Sequence, residues 1–428
     1  MNTKYYIDSI DNGNLDSRFA ELYGSGAILA QRDRYIKALE SFETYFGTEH
    51  EINIYSVSGR SELAGNHTDH NNGKVIAGAI DLDIIAIASK SGTDTVSIKS
   101  DGYNMFSVDL AKYCKPDEKL FGTSASLVAG VADGFKNRGY AVGGFNAYLT
   151  SNVLRGSGLS SSAAFEDMIG NIFNYEFNEG SISNVVIAQI AQYSENVFFG
   201  KPCGLMDQVA CAHGGIVAID FKDTSAPKIE KVDFNPSSEG YNLCIVDTGG
   251  NHADLTDDYA SVPAEMKAVA AQFNGKCLRE ISADDVLANA SAIRLSCGDR
   301  ALMRAIHFFR ENERVDKMKN ALDGGDIKTY FENVCESGRS SFCYLQNVYT
   351  TKNVSEQGLS LALCLADGFM QGRDGAFRVH GGGFAGTIQA YVREEDVEEY
   401  RTLMDSVFGE GACLVLRIRD EGATKVNK

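Results

Sequence analysis

The chain has 428 residues, 44% hydrophobic and 23% charged, enough for two domains with substantial cores. A net charge of −18 argues against a nucleic-acid or anionic-membrane surface. No run approaches the roughly 18 apolar residues of a membrane span. The opening MNTKYYIDSIDNGN lacks a signal-length apolar core, so the sequence predicts a cytoplasmic protein whose ten cysteines are reduced and mostly buried.

Residues 1–50 read mostly as helix, with Ile28, Leu29, Tyr35, Ala38, Leu39, Phe42 and Phe46 on an amphipathic stretch. From Ile52 the period changes. INIYSVSG is a strand running into Gly59, and 74–89 is β-branched and apolar. Between them the insert 59–73 reads as a loop holding Arg60, Glu62, Asn66, His67, Asp69 and His70. So dense a set of hydrogen-bonding groups suits a polyhydroxylated or charged ligand. Residues 124–138 look helical, and GFNAYLTSNV (144–153) is a strand.

That strand feeds GSGLSSSAAFE (156–166), where apolar residues at helical spacing follow the serines. The serines therefore stand at a helix start, where unpaired N–H groups and the dipole favour an anion. Gly156 and Gly158 let the backbone approach a bulky ligand, and phosphate is the natural guest. No Walker-type lysine motif is present. A second helix spans 183–199, with Glu195 beside its apolar stripe, and Asp207 sits in the apolar, glycine-flanked run CGLMDQVACAHGG. Such a carboxylate is either a helix cap or a desolvated functional group.

Strands follow at 215–221, 228–234 and 242–249, with a domain boundary near 222–245. Residues 262–340 are mainly helical, 357–371 is another helix, 375–392 is a glycine loop followed by a strand, and 413–420 is an edge or closing strand. Gly381, Gly383 and Gly386 fit G-x-G-x-x-G, but TIQAYV after them alternates like a strand, so a dinucleotide site fails on context. No zinc-type ligand spacing and no G-x-S-x-G elbow appear.

Several motifs in order carry a resemblance. GRSELAGNHTDHNNGKVIAGAI resembles the galactokinase signature, and GSGLSSSAA resembles the phosphate-binding motif of the GHMP kinase superfamily. AQYSENVFFGKPCGLMDQ (191–208) is similar to a further galactokinase segment, and HGGGFAGTIQAYV to the superfamily's third motif. AIHFFRENERV and ESGRSSF resemble the family's helical region. The resemblance covers roughly residues 20–395.

The resemblance implies an α+β, two-domain GHMP kinase fold, N-terminal ribosomal protein S5 domain 2-like (1–235) and C-terminal ferredoxin-like (236–428), with the active site between them. It implies an ATP-dependent sugar 1-kinase acting on galactose, with ATP as co-substrate and Mg²⁺ as cofactor. Asp207 matches the catalytic aspartate and Arg60 the arginine beside it. Ser162 and Glu195 match the metal ligands, and Gly156, Ser157, Gly158, Leu159, Ser160, Ser161 and Ser162 the phosphate cradle. Asn66, His67, Asp69 and Tyr259 match sugar binders. The partners are then a small sugar and ATP, without nucleic acid or membrane; the oligomeric state stays open, with a monomer favoured.

Two departures bear on the sugar. The family has glutamate where Asn66 stands and asparagine where Glu62 stands. N-acetylgalactosamine or galacturonate are alternative substrates, and a non-catalytic sugar and ATP sensor on the same fold is the alternative of a different class.

Overall fold

The computed structural model describes residues 1–113, 115–153, 158–201, 203–249 and 255–427. Helices α1 (Thr3–Asp11), α2 (Asp16–Tyr23) and α3 (Ile28–Phe46) open the chain. Strands β1 (Asn53–Ala64), β2 (Lys74–Lys90), β3 (Thr95–Ser100) and β4 (Phe106–Asp109) come next, then α4 (Ser124–Asn137) and β5 (Phe145–Ser151). Helices α5 (Ser161–Phe177), α6 (Asn184–Tyr193) and α7 (Met206–His213) precede β6 (Ile216–Asp220), β7 (Lys228–Val232) and β8 (Tyr241–Asp247).

A helical block follows: α8 (Thr256–Ala271), α9 (Ala283–Ala288), α10 (Ala290–Cys297), α11 (Asp299–Asp323) and α12 (Ile327–Ser340). The chain closes with α13 (Gly358–Met370), β9 (Gly375–Val379), β10 (Thr387–Arg393), α14 (Val397–Phe408), β11 (Cys413–Leu416) and β12 (Thr424–Lys425). Sequence periodicity did not pick out β3, β4 or α14. Among the described residues no helix is long and apolar enough to cross a membrane.

The architecture is mixed α+β. An eight-stranded sheet runs β12-β1-β2-β5-β3-β4, with β6 and β7 attached along the first part of β2. Its pairs are antiparallel except β3 with β5. Both faces of its centre are covered, so β2 reads as a near-continuous apolar run, while buried β1 carries serines, Arg60 and Glu62 that find partners inside. Ile54, Ile85 and Ile87 face Phe19, Tyr35 and Phe42 of the N-terminal helices. The alternate residues Val57, Ala86 and Ala88 share the other core with Phe135, Ile169 and Phe173 of α4 and α5. A four-stranded antiparallel sheet, β11-β8-β10-β9, carries its own core with α13 and α14.

Three findings alter the sequence reading. The insert 59–73 is a loop only from Gly65 onward, because β1 runs to Ala64 and carries Arg60 and Glu62. Register breaks between Ser58 and Arg60, and between Glu62 and Ala64, bracket those side chains and re-aim them off the regular pleat. The last residues return to the first sheet, where β12 pairs with β1 and Ile418 bridges Ile80, so the tail crosses the expected division at 235/236. Cys343 and Cys364 are exposed, against the expectation of mostly buried thiols.

The returning tail is pinned by a buried charge. Asp83, fully buried, pairs with Arg34 of α3 at 2.6 Å and with Arg419 of the tail at 3.1 Å, and accepts hydrogen bonds from the Tyr23 and Ser56 hydroxyls. Burial alone would raise its pKa, but the two guanidiniums outweigh this and hold it below the usual aspartate value. The Asp83 contribution to stability is therefore complete above the unfolded pKa of about 4 and lost as pH falls through the lower folded value. Asp83→Ala leaves Arg419 buried without its counter-ion and is expected to cost about 3–5 kcal/mol in urea unfolding at pH 7.

Candidate active site

The site forms where β1, the start of α5, the start of α7 and the β9–β10 loop converge. Arg60, on β1, is almost fully buried; its Nε donates to Asp207 Oδ1 at 2.9 Å, and its Nη2 lies 2.8 Å from the same oxygen. Its Nη1 donates to the carbonyl of Gly158, and its backbone N–H donates to the carbonyl of Leu159 at 3.2 Å. One arginine thus ties the glycine–serine loop to the first turn of α7. A β-carbon at Gly59 would stand 2.8 Å from the Leu159 carbonyl, so only glycine lets β1 press this close.

Ser160 sits at the N-cap of α5 in the left-handed region, φ +62°. Its hydroxyl does not cap the helix; it donates to Asp207 Oδ2 at 2.5 Å. The first N–H groups of α5 therefore have no side-chain cap and remain suited to an anion. Ser161 and Ser162 open the helix, half-buried, while the Leu159 side chain is buried in the core. Gly156 and Ser157 lie outside the described residues. The β9–β10 loop closes this side: a β-carbon at Gly381 would stand in ordinary contact with Gly158, 4.0 Å from its Cα. His380 bridges Ser61 at 3.1 Å and Thr387 at 2.9 Å, and burial keeps it neutral.

Asp207 is exposed over 34% of its side chain. Desolvation would raise its pKa; the Arg60 charge and the Ser160 hydrogen bond outweigh that and hold the carboxyl below its ordinary value. Two further groups line the approach. A β-carbon at Gly204 would collide with the Asp69 carboxylate, which places Asp69 over the segment leading into α7. Asp69 Oδ1 accepts from the His70 backbone N–H at 2.9 Å. His67 adopts φ +59°, its Nε2 lies 2.8 Å from the Gly382 carbonyl, and its ring stacks on His70. Burial, then the neighbouring His70, pushes its pKa down to about 4, so it is a neutral donor at pH 7. Tyr259 of α8 donates to the Gly383 carbonyl at 2.6 Å, and its ring lies against Gly382.

Asn66 departs from expectation. It is fully buried, and its amide makes four hydrogen bonds: to Glu62 Oε1 at 3.1 Å, to the Gly381 carbonyl at 2.6 Å, and from Ser341 at 3.1 Å and Asn347 at 2.9 Å. That is the full capacity of a primary amide. As a correction to the sequence reading, Asn66 is an interior clamp with no free group for a sugar hydroxyl. Glu62, its partner, is also buried and paired with Arg378 at 2.8 Å. Residues 62 and 66, the two departures, bond to each other. Sequence spacing alone did not reveal this, and it missed Arg378, His380 and Asn347 because their partners lie some 300 positions away.

Glu195 is buried, 3% exposed, on a π-helical turn over Ser194–Phe199. Its Oε2 accepts from Gln208 Nε2 at 3.0 Å, and the same nitrogen reaches Glu166 Oε2 at 3.3 Å. Glu166 Oε1 and Gln208 Oε1 are buried without a hydrogen-bond partner. Burial, with the Glu195 charge, pushes the Glu166 carboxyl up. Glu166 stands one turn beyond Ser162 on α5, so the two share a helix face. Orphaned oxygens beside a buried carboxylate and a hydroxyl fit a hard divalent cation.

Residues 122–215 match the family model of the GHMP kinase N-terminal domain, and residues 40–90 match the galactokinase galactose-binding signature. The chain is 28% identical over 386 residues to a galactokinase of Streptomyces coelicolor, covering 89% of this chain and 94% of that protein. It is 29% identical over 403 residues to a galactokinase of Clostridium acetobutylicum, covering 91% and 98%. In fold it is similar to the crystal structure of Lactococcus lactis galactokinase complexed with galactose, with a TM-score of 0.76 at 24% identity over 90% of this chain and 98% of that one. A mevalonate kinase structure follows at a TM-score of 0.61 and 15% identity, covering 86% and 99%.

The electrostatics yield a direct expectation. With carboxyl-selective NMR, Asp207 should stay ionised below the reference aspartate pKa of about 3.9. In Arg60→Met the remaining dominant influence is desolvation, so the titration should move above that reference.

Proposed function

Because the chain belongs to the galactokinase-like phosphotransferases of the GHMP kinase superfamily, we propose that it transfers the γ-phosphoryl group of ATP to the C1 hydroxyl of galactose. One observation carries this reading: the Arg60 side chain joins the phosphate-loop carbonyl of Gly158 and the Asp207 carboxylate in a single contact set. Phosphoryl transfer depends mainly on positioning and charge stabilisation, and both meet at that point.

Asp207, held ionised, accepts a hydrogen bond from the sugar C1 hydroxyl, aims its oxygen at the γ-phosphorus and takes up the proton as the new O–P bond forms. ADP leaves with the electron pair of the broken bond. Arg60 keeps Asp207 charged and offsets negative charge on the transferring group. The N–H groups at the start of α5, with Gly158, Leu159, Ser160, Ser161 and Ser162, cradle the phosphates. Ser162 and Glu195 would hold Mg²⁺, which when bound neutralises phosphate charge. Asp69 reads sugar hydroxyls as an acceptor, as does neutral His67 through Nδ1, since its one N–H is given to the Gly382 carbonyl, and Tyr259 fixes the Gly381–Gly383 wall of the pocket. Support for galactose comes from the matched signature over 40–90 and from the galactokinases among the relatives.

The test is ATP turnover, read as ADP release, against galactose, N-acetylgalactosamine, glucose and galacturonate. Galactose should be strongly preferred. Preference for another hexose would replace galactose as the substrate, and ATP binding without turnover on any sugar would favour a sensor. Asp207→Ala should lower kcat by about 10²–10⁴-fold while the thermal transition survives; near-full activity in that variant would remove Asp207 from its role.

A further inference from the structure

Lys201 stands just beyond the π-helical turn that carries Glu195. Its side chain is 63% exposed, yet its ammonium turns inward to lie 3.2 Å from Glu195 Oε1. Its backbone N–H donates to the Glu195 carbonyl at 3.1 Å, so the backbone fixes the two residues together while the long stem stays free to move. Around this contact acceptors outnumber donors. Glu195 and Glu166 are both buried and share one Gln208 amide nitrogen, and Glu166 Oε1 and Gln208 Oε1 have no partner.

An ammonium brings one charge and three donors to a place rich in oxygen, where a divalent cation would bring two charges. An ammonium on the Glu195 carboxylate weakens the hold of a divalent cation on the same group, because like charges at such a separation repel. Lys201, on an exposed stem, is the partner that can leave at small cost. Residues 158–162, at the start of α5, contain neither lysine nor arginine, and Lys201 feels the charge of Asp207, which accepts from Ser160, so a displaced ammonium would join Arg60 as a second cation on this side of the site.

We propose that Lys201 is a displaceable counter-ion: it occupies the Glu195 carboxylate until a divalent cation with its nucleotide arrives, and then becomes a cationic contact to the nucleotide phosphates. The phosphate half rests on the kinase reading above; the displacement half does not.

The experiment is a Mn²⁺ titration of the full chain without nucleotide, paired with steady-state kinetics. Lys201→Met should bind Mn²⁺ about five-fold more tightly than the unmodified protein, the scale of one partly exposed ion pair. Lys201→Arg should keep the weaker affinity, and Glu195→Gln should lose binding. Unchanged or weaker Mn²⁺ affinity in Lys201→Met, or no Mn²⁺ binding by either protein, overturns displacement. In turnover, Lys201→Met should raise KM for ATP about three- to ten-fold and leave KM for the sugar unchanged, with Lys201→Arg restoring most of the loss. An unchanged KM for ATP overturns the phosphate contact. If no sugar supports turnover in the unmodified protein, the kinase reading and the phosphate half fall with it, and the Mn²⁺ titration still decides displacement.

Discussion

The Arg60–Asp207 pair is the contact on which the site depends. Its two carboxylate contacts at 2.8 and 2.9 Å, and its grip on the Gly158 carbonyl, link a strand of the first sheet, the glycine–serine loop and the start of α7. Arg60 is buried, so its charge needs a fixed counter-ion, and Asp207 provides one while keeping a third of its own side chain open. The same arrangement depresses the Asp207 pKa and orients its free edge. Ser160 completes the geometry by giving its hydroxyl to Asp207 and leaving its helix uncapped.

Behind that pair lies a second, wholly interior network. The Asn66 amide and the Glu62 carboxylate join the β1 end, the Gly381–Gly383 loop and the end of α12. Glu311 on α11 accepts from the Asn66 backbone N–H at 3.4 Å and from the Ser337 hydroxyl at 2.6 Å, and it pairs with Arg314. Despite burial, the neighbouring His307 and Arg314, with the Ser337 hydrogen bond, hold the Glu311 carboxyl down to about 2. Such a network is costly if half-satisfied and rigid when complete. Here it fixes the wall against which His67 and Tyr259 lean, so those side chains are placed by backbone carbonyls of the glycine loop.

Backbone conformation serves the same end at particular points. Ser160 and His67 lie in the left-handed region, where a side chain is disfavoured, and both carry site contacts. Among the described residues, the π-helical turns Ser194–Phe199 and Ser341–Leu345 each send a polar side chain inward, Glu195 in one and Ser341 in the other. A widened turn changes the angle at which a helix presents its side chains.

Much of this was legible in the sequence. Period-2 and period-3.6 patterning located most strands and helices, because local backbone geometry and one-sided burial impose those periods directly. The glycine–serine run announced a helix N-terminus suited to phosphate, since unpaired N–H groups are a local property. The motif order pointed to Asp207, Arg60 and Glu195. Tertiary structure alone decided the rest. Whether Asn66 faced a ligand or the interior depended on Ser341, Asn347 and Gly381, which are distant in the chain. Whether Glu195 was a surface charge or a buried one depended on Gln208 and Glu166 packing against it. The return of the tail through Arg419 onto Asp83 depended on a partner 336 positions away. Hydrogen bonding and desolvation of polar groups are set by non-local neighbours, and a linear pattern records apolar period far better than it records which polar groups will meet.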